Sequence, residues 1–109
     1  MSYDEGLAEI LRADLTGDGR VDEKRMFGGL CFMLEGHMLC GVHKDGGMFR
    51  VGKERETEAL AIDGVTEMAF TGRKMGGLVD VTEDLLADDQ RRAKLMALAR
   101  ENVHSLPPR

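Results

Sequence analysis

Residues 25–51 read RMFGGLCFMLEGHMLCGVHKDGGMFRV, and the way this stretch pairs with itself decides the fold. Two Gly-bearing dipeptides, Glu35-Gly36 and Asp45-Gly46, divide it into three short apolar runs. Asp-Gly between such runs signals a tight hairpin, because the turn needs positive φ and glycine adopts it without a steric penalty. Glu-Gly is a weaker form of the same signal. The pattern predicts a three-stranded antiparallel meander over residues 30–34, 37–43 and 47–51.

Two-residue loops then set the register. Leu34 faces His37 and Cys31 faces Cys40, while in the second hairpin Val42 faces Phe49 and Cys40 faces Val51. Directly opposed residues share a face of the sheet. One face is therefore expected to carry Cys31, Met33, Met38, Cys40, Val42, Phe49 and Val51 as the core. The other holds Leu30, Phe32, Leu34, His37, Leu39, Gly41, His43, Met48 and Arg50. Its apolar members, Leu30, Phe32, Leu34, Leu39 and Met48, form the candidate interaction face. Large exposed apolar patches are uncommon on soluble monomers, so a cover is expected. A second copy of the chain is the favoured one, giving a homodimer with His37, His43 and Arg50 in a polar rim; the N-terminal helix folding across is the other.

Outward from the meander, residues 4–13 have helical spacing of Leu7, Ile10 and Leu11, with Ser2 or Asp4 as cap. Residues 21–26 predict a short first strand before the Gly28-Gly29 kink. Residues 53–62 are helical in pattern, with Ala59, Leu60 and Ile62 inward. Residues 66–70 and 78–81 predict two more strands around a glycine-bearing loop, Thr71 to Gly77. Residues 82–87 predict a brief turn or helical stub. The clearest helix runs over residues 89–105, capped by Asp88, with Arg92, Leu95, Met96, Ala99 and Val103 on one face. Helix, strands, helix, two strands, helix is the order of an α+β two-layer domain, an antiparallel sheet with helices packed on one face.

Several motifs carry a family resemblance. Arg25-Met-Phe-Gly-Gly29, then Gly36-His37-Met38 opening a strand, then Phe49-Arg50-Val51-Gly52, resemble the TfoX/Sxy N-terminal domain. Phe70-Thr71-Gly72-Arg73 with Met75 and Gly76, and the ending Ser105-Leu106-Pro107-Pro108, fit the same pattern. The resemblance runs from about Val21 to the C-terminus. It implies the same α+β architecture, a stand-alone short member with residues 1–109 as one domain, and a regulatory role through protein contacts, since family members include competence regulators. No catalytic residue set comes with it.

Composition bounds the function. A net charge of −5 over 109 residues, with no basic segment, argues against tight nucleic-acid binding, which draws on phosphate contacts. No apolar run approaches a membrane span, and the MSYDEG start lacks a signal pattern, so a cytoplasmic location is expected. Two cysteines are too few for a secreted disulfide scaffold.

Among candidate chemical sites, residues 14–25 imitate a calcium loop, with Asp14, Thr16, Asp18 and Asp22 as oxygen ligands. Position 12 of the loop is Arg25 where a bidentate Glu belongs, which argues against calcium. Cys31, Cys40, His37 and His43 suggest a metal set, but the predicted register puts cysteines and histidines on opposite faces, so four ligands cannot converge. A soft ion held by Cys31, Cys40, Met33 and Met38 is geometrically possible, and plain thiol packing is the favoured reading. A Cys31–Cys40 disulfide is conceivable and disfavoured in a reducing compartment. The expectation is therefore no catalytic residue, no metal and no cofactor: a non-enzymatic regulatory or interaction module with a protein partner. The alternatives are a small anion or nucleotide binder using Arg25, Arg50, Arg73 and Lys74, or a thiol-based redox or metal-responsive protein using Cys31 and Cys40.

Overall fold

Glu35 and Gly36 both take positive φ, 52° and 84°, as a two-residue type I′ hairpin turn requires. The computed structural model describes residues 3–26, 28–70 and 73–107, the side chains of residues 69–75 excepted. Within it, β1 (Val21–Met26), β2 (Gly29–Leu34), β3 (His37–His43), β4 (Gly46–Arg50), β5 (Val65–Phe70) and β6 (Arg73–Thr82) form one sheet in the order β1-β2-β3-β4-β6-β5. Every neighbouring pair is antiparallel.

The first hairpin begins as predicted, with Leu34 opposite His37 and Met33 opposite Met38. The next pair is Phe32 with Cys40, so Leu39 is an extra residue on β3. This bulge overturns the expected faces. Strand side chains alternate with period two, so one inserted residue inverts which residues of β2 and β3 share a side. Cys31 pairs with Gly41, not Cys40, and Leu30 pairs with Val42. In the second hairpin the loop is Lys44-Asp45 and His43 pairs with Gly46. That register differs by two residues from the predicted one, so its faces are unchanged.

The helices are α1 (Glu5–Asp14), α2 (Glu56–Leu60, entered through a 3-10 turn at Lys53–Arg55), α3 (Glu83–Ala87) and α4 (Asp89–His104). Each long helix starts at an aspartate that accepts from free backbone amides. Asp4 accepts from Gly6 at 2.7 Å, and Asp88 accepts from Gln90 at 3.0 Å and Arg91 at 3.1 Å. Thr82 caps α3 through Leu85. The α4 stripe Arg92, Leu95, Met96, Ala99 and Val103 is buried, as its spacing predicts.

All four helices contribute to one core, in which Leu11, Ala59, Leu85, Leu86, Leu95 and Val103 pack with Leu30, Phe32, Leu34, Leu39, Val42, Phe49 and Val79. Leu30, Phe32, Leu34 and Leu39 thus lie under the helices and are not an interaction face; of the five residues proposed for it, only Met48 is on the other side. An association through this face loses four of its five apolar residues by the same step. Of the two expected covers it is the N-terminal helix that lies over Leu30, Phe32, Leu34 and Leu39, since Ala8, Leu11 and Leu15 share their core and Leu7 packs against it. At Gly47 a Cβ would come within 2.9 Å of Leu86 Cδ1, so this glycine lets α3 rest directly on the sheet. Arg12 fastens α1 to the β1 edge, its Nε 2.6 Å from Glu23 and its guanidinium 5.9 Å from the Phe32 ring centroid.

The connection after α1 does not gather its acids around a cation. Asp14 accepts from Arg92 Nε at 2.7 Å and Asp18 from Arg100 Nε at 2.9 Å, so α4 claims both carboxylates. The predicted basic loop is also revised: β6 already begins at Arg73, and Thr71 and Gly72 lie outside the described residues. Among the described residues no helix is long and apolar enough to cross a membrane.

Candidate functional site

Away from the helices, strand pairing sets up a continuous row: Lys24 on β1, Cys31 on β2, Gly41 on β3, Met48 on β4, Asp80 on β6 and Thr66 on β5. Cys31 and Met48 are completely buried and, with Met38, Met68 and Leu78, form a second apolar cluster flanked by the partly buried Met26 and Met33. Gly41 separates Cys31 from Met48 and leaves the space above itself empty of side chain. The Met48 methyl fills it: a Cβ built on Gly41 would lie 3.1 Å from Met48 Cε and 3.2 Å from Cys31 Cα.

The bulge splits the cysteines and the histidines alike. Cys31 and His43 are on this far face, whereas Cys40 is in the helix-side core and His37 reaches the segment after α4. Cys31 pairs with Gly41 and Cys40 with Phe32, so the two thiols face opposite sides of the sheet, and both cysteines are free. Burial pushes the Cys31 thiol up to about 11 and the Cys40 thiol higher still, so both stay protonated and weakly nucleophilic.

His37 and His43 are each engaged in hydrogen bonds. Pro107 offers His37 Nε2 only a carbonyl acceptor at 2.6 Å, so Nε2 carries the proton and donates. His43 Nδ1 accepts from the Asp45 amide at 3.1 Å, which places its proton on Nε2, 2.6 Å from Asp80 Oδ1. With both ring nitrogens occupied, His43 has no lone pair to offer as a general base in this geometry.

The anion-binding set is not brought together. Arg25 pairs with Leu30 and so points to the helix side, and Arg50 pairs with Leu78 and points to the far side. Arg73 and Lys74 have side chains outside the described residues.

A surface that the sequence reading missed lies on the helical layer. Between α2 and α4 runs an open groove of about 700 Å³, lined by Ala61, Ile62, Ala97 and Leu98 together with Glu58, Lys94 and Glu101. Arg91 NH1 donates to the Asp63 carbonyl at 3.0 Å at one end, and Arg55 approaches Glu101 to 3.9 Å at the other, so α2 and α4 run antiparallel along it. Lys94 stands toward the first end, Glu101 at the second. The only local hint was Ala97, a small apolar residue on an otherwise charged face of α4. The partner wall comes from a helix over thirty residues away in sequence, so no local pattern reveals the groove.

An antiparallel sheet with four helices on one side defines this chain as a two-layer α+β domain. Residues 13–103 match the TfoX N-terminal domain, and the chain belongs to that family. No curated protein and no solved structure matches it significantly.

Proposed function

We propose that this TfoX N-terminal domain is a non-enzymatic regulatory module that acts through protein contacts, with the α2–α4 groove as its contact surface. The groove itself carries the reading. It presents an apolar lining from Ala61, Ile62, Ala97 and Leu98, with Lys94 toward the end where Arg91 meets Asp63 and Glu101 at the other end beside Arg55. A partner segment with apolar residues between charges of opposite order fits such a surface: the apolar centre supplies affinity and the charged ends set direction. The two protonated thiols and the occupied imidazoles are in keeping with a role other than covalent or acid–base catalysis. The net charge of −5 favours a protein over a nucleic acid.

The test uses a photocrosslinking residue at position 97, with the same residue at Lys24 on the β1 edge as control. A protein captured from the native host at 97 and not at 24, and lost in Ala97→Arg, is the expected result. Capture at both positions alike, or at neither, overturns the assignment. Ala97 is exposed, so Ala97→Arg should leave the melting temperature within a few degrees of wild type.

A further inference from the structure

The two apolar clusters differ sharply in sulfur. Among the described residues, of the twenty-seven side chains in and against the helix-side core, only Cys40 and Met96 contain sulfur. Of the seven described side chains in and against the far-face apolar cluster, Leu78 alone lacks it. Methionine serves as an adaptable gap-filler, but filling gaps does not require that sulfur be sorted by sheet face, nor that a thiol sit at the centre. We propose that the far face is a binding site for a soft monovalent metal ion, copper(I) or its analogue silver(I), with Cys31 Sγ and Met48 Sδ as the founding ligands and Met38 and Met33 completing the set.

Three observations carry this. The strand register puts Cys31 and Met48 on either side of Gly41, and the missing side chain there brings the Met48 methyl and the Cys31 backbone within 3.2 Å of one point. Met33 and Met38 are directly opposed on the same two strands as Cys31 and Gly41, one step along the face. Met33 and Met26 are only partly buried and mark the side from which an ion enters. Thiolate and thioether donors select soft ions. Among the described residues no three His, Cys, Asp or Glu side chains are grouped to hold a metal, so zinc, calcium and magnesium have no comparable seat. Binding is a proton-for-metal exchange: the Cys31 S–H bond breaks, an S–Cu bond forms, the proton leaves to solvent, and no electron changes hands.

The proposal is independent of the groove and of the protein-contact reading. It is tested by anaerobic titration of the full chain with copper(I) against bicinchoninate, and by methionine methyl NMR during silver(I) titration. Wild type should take up one equivalent, and the methyl signals of Met48 and Met38 should shift while that of Met96, in the helix-side core, stays in place. Cys31→Ala should abolish uptake. Met48→Leu, which conserves volume, should weaken it by about tenfold or more, and Cys40→Ser should leave it unchanged. Absence of uptake by wild type, equal uptake by Met48→Leu, or loss of uptake in a folded Cys40→Ser would each overturn the assignment.

Discussion

Arg92 of α4 donates its Nε–H to the carboxylate of Asp14, at the end of α1, across 2.7 Å and 78 residues of sequence. The same guanidinium donates to the Leu86 carbonyl at 2.7 Å and to Asp89 at 2.8 Å, so one side chain ties α1, α3 and α4 together. Burial alone would lower the Arg92 pKa; hydrogen bonds to Asp14 and Asp89 outweigh it and leave the pKa raised. The charge therefore persists throughout the accessible pH range.

Removing one partner of this pair strands the other. Arg92 is buried, and Arg92→Ala should destabilise the fold by about 3 kcal/mol, read from the urea midpoint. Arg92→Met, which restores the packing of the stem, should recover part of the loss. If both variants unfold at the wild-type midpoint, the network is not structural.

Calcium should not change stability. Two of the carboxylates that imitate a calcium loop, Asp14 and Asp18, are held by Arg92 and Arg100, and binding would have to break both pairs. The melting temperature in millimolar calcium should equal that in magnesium. A rise of several degrees with calcium alone would contradict these contacts.

The Leu39 bulge makes opposite claims for two neighbours. Phe32 is fully buried under the helices and Met33 is only partly buried on the far face. Phe32→Ala should cost about 3–5 kcal/mol, and Met33→Ala about 1 kcal/mol or less. Denaturant unfolding of the two variants checks the order. The bulge-free register predicts the reverse.

Both thiols should react slowly with a bulky disulfide reagent in the native state and quickly in denaturant, because both are buried. Their raised pKa values also fix a sign. The unfolded chain loses its thiol protons near 9, whereas native Cys31 holds its proton to about 11. Stability from this source is full below pH 9 and falls as pH rises toward 11. Cys31→Ser should flatten that alkaline decline in a series of urea midpoints.

Much of this architecture follows from local sequence. The apolar runs, the Glu35-Gly36 turn, the Asp4 and Asp88 caps and the α4 stripe depend on neighbours within a few residues, and each forms where its residues predict. The motifs of the TfoX N-terminal domain were legible for the same reason. The faces of the meander were not. A strand records only parity, and nothing in the apolar run Met38-Leu39-Cys40 says that two consecutive residues will oppose one; the helices decide it, because the bulge brings Leu39 and Cys40 together into their core. That single inserted residue moves Cys31 away from Cys40, buries Phe32 and Leu34, and gathers the methionines on the far side. The α2–α4 groove likewise exists only in three dimensions, where α4 settles beside a helix far from it in the chain.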